Sequence, residues 1–251
     1  MLKKRIIPLL LLNNSSLVKS VQYSNHRIVG DAFSMAKVFS NRMSDEMLIV
    51  DINATKNQSI NYDLFKKICL NCNMPLSLGG GIDDLDKAQK LFESGADKII
   101  VNSSFFKNPN LILSLSQKYG NQSIVFSLDA FKDKNNDYYV FSNSGKVNQN
   151  IRIQDIFEKI NNVGIGEIVV NSINNDGKMS GFDYDLLRIV RNKTSLPIII
   201  SGGCGSKEDC LAAFEYGADA VALGSIFYWL GESIISIKEF LHKNNINVRY
   251  N

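Results

Sequence analysis

Histidine is scarce in this chain, which holds only His26 and His242 among 251 residues. Cysteine is nearly as rare, at Cys69, Cys72, Cys204 and Cys210. These four suggest no disulfide framework, as expected in a reducing cytoplasm. Cys69 and Cys72 form a C-x-x-C, but a zinc site wants a second pair or nearby histidines, and neither is present. The pair reads as a coincidence at a helix end, and no metal or cofactor is expected. No lysine or arginine block accompanies the mild net charge of +3, so neither nucleic acid nor a membrane is an expected partner. Long apolar runs are missing too. IIPLLLL (6–12) is too short to span a bilayer. Behind Lys3, Lys4 and Arg5 it has the form of a signal core, yet NNSSLVKSVQYS after it lacks a small-residue cleavage site, and a first buried strand fits better. No linker, low-complexity tract or composition break divides the chain, so a single domain over 1–251 is expected.

What the chain does contain is a stretch it nearly repeats. MPLSLGGGIDDLDKAQKLFESGADKIIVNSSFF (74–106) and LPIIISGGCGSKEDCLAAFEYGADAVALGSIFY (196–228) align under one shift of 122 positions. Pro75 meets Pro197, Gly80-Gly81 meets Gly202-Gly203, Gly95-Ala96-Asp97 meets Gly217-Ala218-Asp219, and Ser103 meets Ser225. Each copy is a strand–helix–strand unit whose first strand exits through glycine. Repeats fix an architecture before local detail does. Two related halves, about 1–120 and 121–251, with four βα units each, fill the length of one (β/α)8 barrel, roughly 250 residues. Near-continuous apolar strands alternating with helices agree with a parallel sheet covered by helices.

Along the chain, KRIIPLLLL is the first strand and residues 13–31 a long polar loop. Helices are expected near 32–43, 60–71, 151–162 and 183–193, and another after the Asn108-Pro109 cap. The polar segment 133–150, with its aromatic centre, reads as an excursion shaped like a hairpin.

Strand C-termini carry the chemistry in such a barrel. Leu11, Asp51, Gly79 to Gly81, Asn102-Ser103, Asp129, Asn171-Ser172, Ser201 to Gly203 and Gly224-Ser225 stand there. Most are small, uncharged hydrogen-bonding residues, which suit a rim that grips phosphate through backbone N–H groups. The plain alternative is that the glycines only let helices pack close. Asp129 is a candidate general acid or base and Asp51 a candidate orienting group, against a helix cap or a lysine partner for either. Asp176-Gly177 sits in a loop where Asp caps a turn or shapes an anion nest. Arg5, Glu46, Lys98 and Glu167 stand at strand starts, as a structural ion-pair layer or as a gate in the floor.

KRIIP, LVK with Lys19, VDINAT, PLSLGGGI, GADKIIVNS, NSINNDG, SGGCG and GSIF together resemble the cyclase subunit of imidazole glycerol phosphate synthase over essentially the whole chain. That resemblance implies a (β/α)8 barrel holding a ribonucleotide with two phosphate ends. It also implies a heterodimer with a glutaminase subunit on the barrel floor, supplying ammonia along the axis. Gly81, Asn102, Ser103, Gly177, Gly202, Gly203 and Ser225 match the family's phosphate-binding positions. Lys19, Asp51, Asn171, Asp176, Ser201 and Gly224 complete the expected mouth. Arg5, Glu46, Lys98 and Glu167 match its floor gate. The family's two catalytic aspartates end strands 1 and 5; the second is Asp129, while Leu11 stands where the first belongs. DGKM replaces the family's DGT, bringing Lys178 near one phosphate grip. This pattern resembles a diverged branch implicated in acetamidino groups on bacterial surface sugars, with a sugar amidotransferase as a further partner. The expected function is therefore a barrel that conducts ammonia for amidination. The alternatives are a histidine-pathway cyclase of lyase type, a sugar-phosphate isomerase, and a pure activator of the glutaminase.

Overall fold

The computed structural model describes residues 3–250. The chain begins with β1 (Arg5–Asn13) and a hairpin of β2 (Ser16–Val21) and β3 (Ser24–Asp31), then α1 (Ala32–Ser40). β4 (Met47–Asp51), α2 (Ala54–Asn57) and α3 (Tyr62–Cys69) follow, then β5 (Leu76–Gly79), α4 (Leu85–Glu93) and β6 (Lys98–Val101). After β6 come α5 (Ser103–Lys107) and α6 (Pro109–Tyr119), then β7 (Ile124–Lys132) with a second hairpin of β8 (Tyr138–Ser142) and β9 (Val147–Arg152). The chain continues through α7 (Phe157–Ile160), β10 (Glu167–Ser172) and α8 (Tyr184–Arg191). It finishes with β11 (Ile198–Ser201), α9 (Lys207–Glu215), β12 (Ala220–Leu223), α10 (Ser225–Trp229) and α11 (Ile234–Lys243).

Eight of the strands pair in parallel as β10-β11-β12-β1-β4-β5-β6-β7, and β7 pairs back onto β10, which closes the barrel. This is the (β/α)8 fold expected. Both faces of each strand are covered, so the strands read as nearly unbroken Val, Ile and Leu. Alternate residues serve two cores. Ile7, Leu48, Ile100, Val125, Val169 and Ile199 cluster inside the barrel, while Ile6, Ile49, Ile99, Phe126, Ile168 and Ile200 pack outward with the helices.

The repeat seen in the sequence reappears as geometry. β5 and β11, α4 and α9, β6 and β12, and α5 and α10 each begin and end 122 positions apart (76 to 198, 85 to 207, 98 to 220, 103 to 225). The backbone agrees as well: Asn102 has φ −138°, ψ −80° and Gly224 has φ −133°, ψ −84°. Each hairpin follows one of a pair of strands four places apart in the barrel, β1 and β7.

Several local expectations need correction. Residues 13–31 are no loop but a hairpin, because SLVKSV continues the sheet antiparallel to β1, pairing Leu11 with Val18. The excursion at 133–150 does form a hairpin, but β9 runs on to Arg152 and leaves only Phe157–Ile160 of the helix expected from 151. The short α5 and α10 were not anticipated; helices of one turn carry little periodicity. α1 ends at Ser40, three residues early, at Asn41.

The last helix is tied to the first strand by a buried ion pair. Lys238 of α11, 1% exposed, donates to the Met43 carbonyl at 2.7 Å and to Asp45 at 2.6 Å. The other Asp45 oxygen accepts from the Ile6 amide at 2.8 Å. Burial draws the Lys238 pKa down against the pull of Asp45. Lys238→Met is expected to destabilise the fold by about 3 kcal/mol, since removing one partner leaves a buried charge behind. A urea midpoint that falls with unchanged slope is the check.

Candidate functional site

All eight parallel strands open at one mouth, where inward positions recur every second residue. On β7 these are Val125, Ser127 and Asp129, and on β10 Val169 and Asn171. A cavity of about 230 Å³ lies between them. Leu9, Leu11, Leu48, Val50, Ile100 and Val169 give it an apolar wall, and Asp129 with its partners gives it a polar one. β1 and β7 are four strands apart in either direction round the barrel, so Leu11 and Asp129 end opposite strands.

Asp129 is buried, at 5% exposure. Its Oδ1 accepts from Asn171 Nδ2 at 2.9 Å, Tyr23 Oη at 3.0 Å and Ser127 Oγ at 3.2 Å, and its Oδ2 from Asn102 Nδ2 at 3.3 Å. Burial pushes its pKa up to about 6, with the nearby Asp176 adding to the rise, while the bonds from Asn171, Tyr23 and Ser127 pull the other way. A carboxyl poised there can give or take a proton near neutral pH.

A smaller cavity of about 30 Å³ adjoins the first and shares Leu9, Leu11, Ser20, Asp176 and Ser201 with it. Lys19 points into this end. Its Nζ donates to the neutral Leu9 carbonyl at 2.7 Å and lies 5.5 Å from the centre of the Tyr228 ring. Burial lowers its pKa to about 8, partly offset by Asp176. A Cβ on Gly224 would stand 2.3 Å from Lys19 Nζ, so a larger residue there would push the ammonium aside. A buried cation beside backbone N–H groups is suited to an anion.

Residues 5–230 match the family described as histidine biosynthesis protein. The chain belongs to this family. It is 38% identical over 250 residues to the imidazole glycerol phosphate synthase subunit HisF of Thermotoga sp. (strain RQ2), covering 99% of this chain and 98% of that one. The corresponding subunit of Hydrogenobaculum sp. (strain Y04AAS1) is 37% identical over 251 residues, with 99% and 100% covered. A protein of Campylobacter jejuni subsp. jejuni serotype O:2 named putative imidazole glycerol phosphate synthase subunit hisF2 is 36% identical over 250 residues, with 99% of each covered.

This barrel of the histidine-biosynthesis family gathers most of the residues singled out at the strand ends around its mouth; Gly79 and Ser172 border neither cavity. Asp51, Gly81, Asn102, Ser103, Asp129 and Asn171 border the larger cavity, and Lys19, Gly177, Gly202, Gly203, Gly224 and Ser225 the smaller. Asp176 and Ser201 border both. Among the described residues no hydrogen bond joins Asp51 to Asp129. The Asp51 Oδ1 accepts from the Asn53 and Ala54 amides at 2.9 and 3.2 Å where α2 begins, which agrees with the helix-cap alternative. Asp176 ties down the β2–β3 hairpin, accepting from Ser20 Oγ at 2.8 Å and from the Tyr23 amide at 3.4 Å. Lys178 is exposed and borders neither cavity, whereas its neighbour Met179 borders the smaller.

Sequence reasoning missed Ser127, Tyr23, Lys107 and Lys146, all of which border the larger cavity. Ser127 was recoverable, since it lies two residues before Asp129 on one strand face. Tyr23 had no such signal, because it arrives from the tip of a hairpin read as loop.

At the opposite end of the barrel the four strand-start charges close a ring. Arg5 pairs with Glu46 at 2.7 Å and with Glu167; Lys98 pairs with Glu46 at 3.0 Å and Glu167 at 2.9 Å. Ser77 Oγ donates to Glu46 at 2.7 Å. None of the four charged residues borders the mouth cavities. Among the described residues no three His, Cys, Asp or Glu side chains gather to hold a metal, and no helix is long and apolar enough to cross a membrane.

The raised Asp129 pKa has a consequence for stability. An aspartate in the unfolded chain titrates near pH 3.9. Between that value and about 6 the folded protein binds a proton that the unfolded chain does not. Stability therefore falls as pH rises through this window, by about 2–3 kcal/mol for a shift of roughly two units. Asp51 and Asp176, also raised by burial, slope the same way. Asp129→Asn is expected to flatten its share, so urea midpoints at pH 4.5 and 7.5 should differ less in the variant than in the parent.

Proposed function

We propose that this barrel takes ammonia from a glutaminase subunit docked on its floor and delivers it along the axis to the Asp129 mouth. One observation carries the reading. The mouth cavity reaches down to Leu48, Ile100 and Val169, and the ring residues Glu46, Lys98 and Glu167 lie two positions earlier in the chain, Glu46 just before β4 and the others at the first residues of β6 and β10. Floor ring and cavity thus share the barrel axis, with a layer that includes Ile7, Val125 and Ile199 among the inner-core side chains. A small neutral molecule such as ammonia is the kind of cargo such a packed layer can pass.

Lys19 with Gly177, Gly202, Gly203 and Ser225 at one end of the mouth, and Gly81, Asn102 and Ser103 at the other, suit a molecule carrying phosphate at both ends. Two acceptors for the ammonia then compete. Leu11, an alkyl chain in the wall across from Asp129, favours amidination of a surface-polysaccharide sugar, with ammonia handed on to a sugar amidotransferase. The names of the relatives favour the second reading, a lyase-type cyclase subunit of imidazole glycerol phosphate synthase in histidine biosynthesis.

Steady-state cyclase turnover on the family's ribonucleotide, driven by ammonium salt so that no glutaminase is needed, separates them. No turnover from the parent chain is expected if the barrel serves amidination. Turnover at the level of a working cyclase would sink that reading and return the protein to histidine synthesis.

A further inference from the structure

The β2–β3 hairpin turns on Gln22 and Tyr23, which have φ of 51° and 59°. A two-residue hairpin turn with positive φ at both positions normally uses Asn or Gly, so a bulky aromatic there is unusual. Something holds the tip in place. The Gln22 amide donates to the Asp176 carbonyl at 2.9 Å, Gln22 Nε2 to the Asn174 carbonyl at 3.1 Å, and the Tyr23 amide to Asp176 Oδ2 at 3.4 Å. So held, the tip sends the Tyr23 ring inward and its hydroxyl donates to Asp129 Oδ1 at 3.0 Å. The second hairpin meets it from across the mouth. A Cβ on Gly145 would lie 2.8 Å from Tyr23 Cδ2, and Ser144 Oγ donates to the Ile52 carbonyl at 3.3 Å. The two hairpins therefore roof the cavity, and Tyr23 is where they touch.

We infer that Tyr23 is a positioning residue of the mouth: its phenol fixes the direction of the Asp129 carboxylate, so that docking of the hairpin tip and readying of Asp129 are one event. Asn171, Ser127 and Asn102 belong to the rigid barrel strands or their ends and stay in place whatever the hairpins do. Among the described residues Tyr23 is the one donor to Asp129 that comes from a hairpin tip. The other titratable groups bordering the cavity are His26, Asp51, Asp83, Lys107, Lys146 and Asp176, and among the described residues none of them donates to Asp129. Asp129 thereby reports whether the roof is closed. This role rests on the reading of Asp129 as the acid–base group of the mouth, and its test does not.

The test is a carbon-13 carboxyl NMR titration of the aspartate-labelled full chain, with Tyr23→Phe and Gly145→Ala beside the parent. Tyr23→Phe keeps the ring and removes a donor to the ionised carboxylate, so the Asp129 midpoint is expected to move up by about half a unit or more. Gly145→Ala touches neither group but crowds the ring from the facing hairpin, and a shift of the same sign is expected. Unchanged midpoints in both variants, with amide spectra that show the barrel intact, would overturn the inference. Where the parent turns over ribonucleotide, Tyr23→Phe is expected to lower kcat about tenfold with little change in KM, the acid limb of its pH profile moving with the carboxyl titration. A parent without turnover removes the cyclase reading only, and the titration still decides the role of Tyr23.

Discussion

Leu11→Asp is expected to raise ammonium-driven turnover of the ribonucleotide about 100- to 10,000-fold over the parent chain, the range that a positioned acid–base group contributes. The new carboxylate would end β1 across the cavity from Asp129. Its backbone is held on both sides, by Val50 of β4 and Val18 of β2, so the side chain enters the cavity without moving the strand. Leu9 and Val50 give it an apolar setting, and Asp129 is a like charge across the cavity. Both influences disfavour ionisation of the newcomer, so that one of the two acids holds its proton near neutral pH. That is the condition for one group to act as acid while the other acts as base. Recovery in the variant with no turnover in the parent would show a mouth complete but for one group. No recovery, with the fold intact, would show that the phosphate grips or the hairpin roof have diverged as well, and that this mouth no longer serves a cyclase.

The barrel was legible because its strongest signals are periodic. Two glycine exits 122 positions apart, each between apolar runs, fixed the strand–helix–strand units, and alternation along the strands placed Asp129 and Asn171 at the mouth. The floor ring was legible for a similar reason: charges at the starts of four buried strands have nowhere to go but the barrel end. What stayed hidden depends on contacts between segments distant in sequence. Leu17 to Ser20 are buried in a continuous run and SNHRIVGD has no buried residue along β3, so no two-residue period announces the hairpin. Tyr23 reaches Asp129 over a separation of 106 residues. Asp51 and Asp129 look alike as acids at strand ends. Their roles part only because the amides of Asn53 and Ala54 turn back onto one, and Asn171 and Tyr23 converge on the other.

Arg5→Met is expected to destabilise the barrel by about 3 kcal/mol, the lower end of the range for breaking a buried pair. Glu46 and Glu167 are the deeply placed members, with side chains 3% and 5% exposed, while Arg5 and Lys98 retain 24% and 21%. Removing a cation therefore strands two buried carboxylates on one lysine, and partial hydration of Lys98 limits the loss. Adding Glu167→Gln to Arg5→Met leaves one cation and one anion, Lys98 and Glu46, at 3.0 Å in the parent. That double variant is expected to recover about 2 kcal/mol relative to the sum of the singles, a coupling of the size found between neighbours in one ion network. Urea unfolding of the four proteins closes the cycle, and strict additivity would mean that the ring is four separate charges. The connectivity matters for function as well as stability. Each cation holds two anions and each anion two cations, so one link of the ring can break while three persist. Ile7, Val125 and Ile199 belong to the hydrophobic cluster inside the barrel, and none of the four links runs through them. Under the function proposed above, a floor held together by ion pairs, with the hydrophobic core kept separate, would admit ammonia without unfolding any part of the barrel.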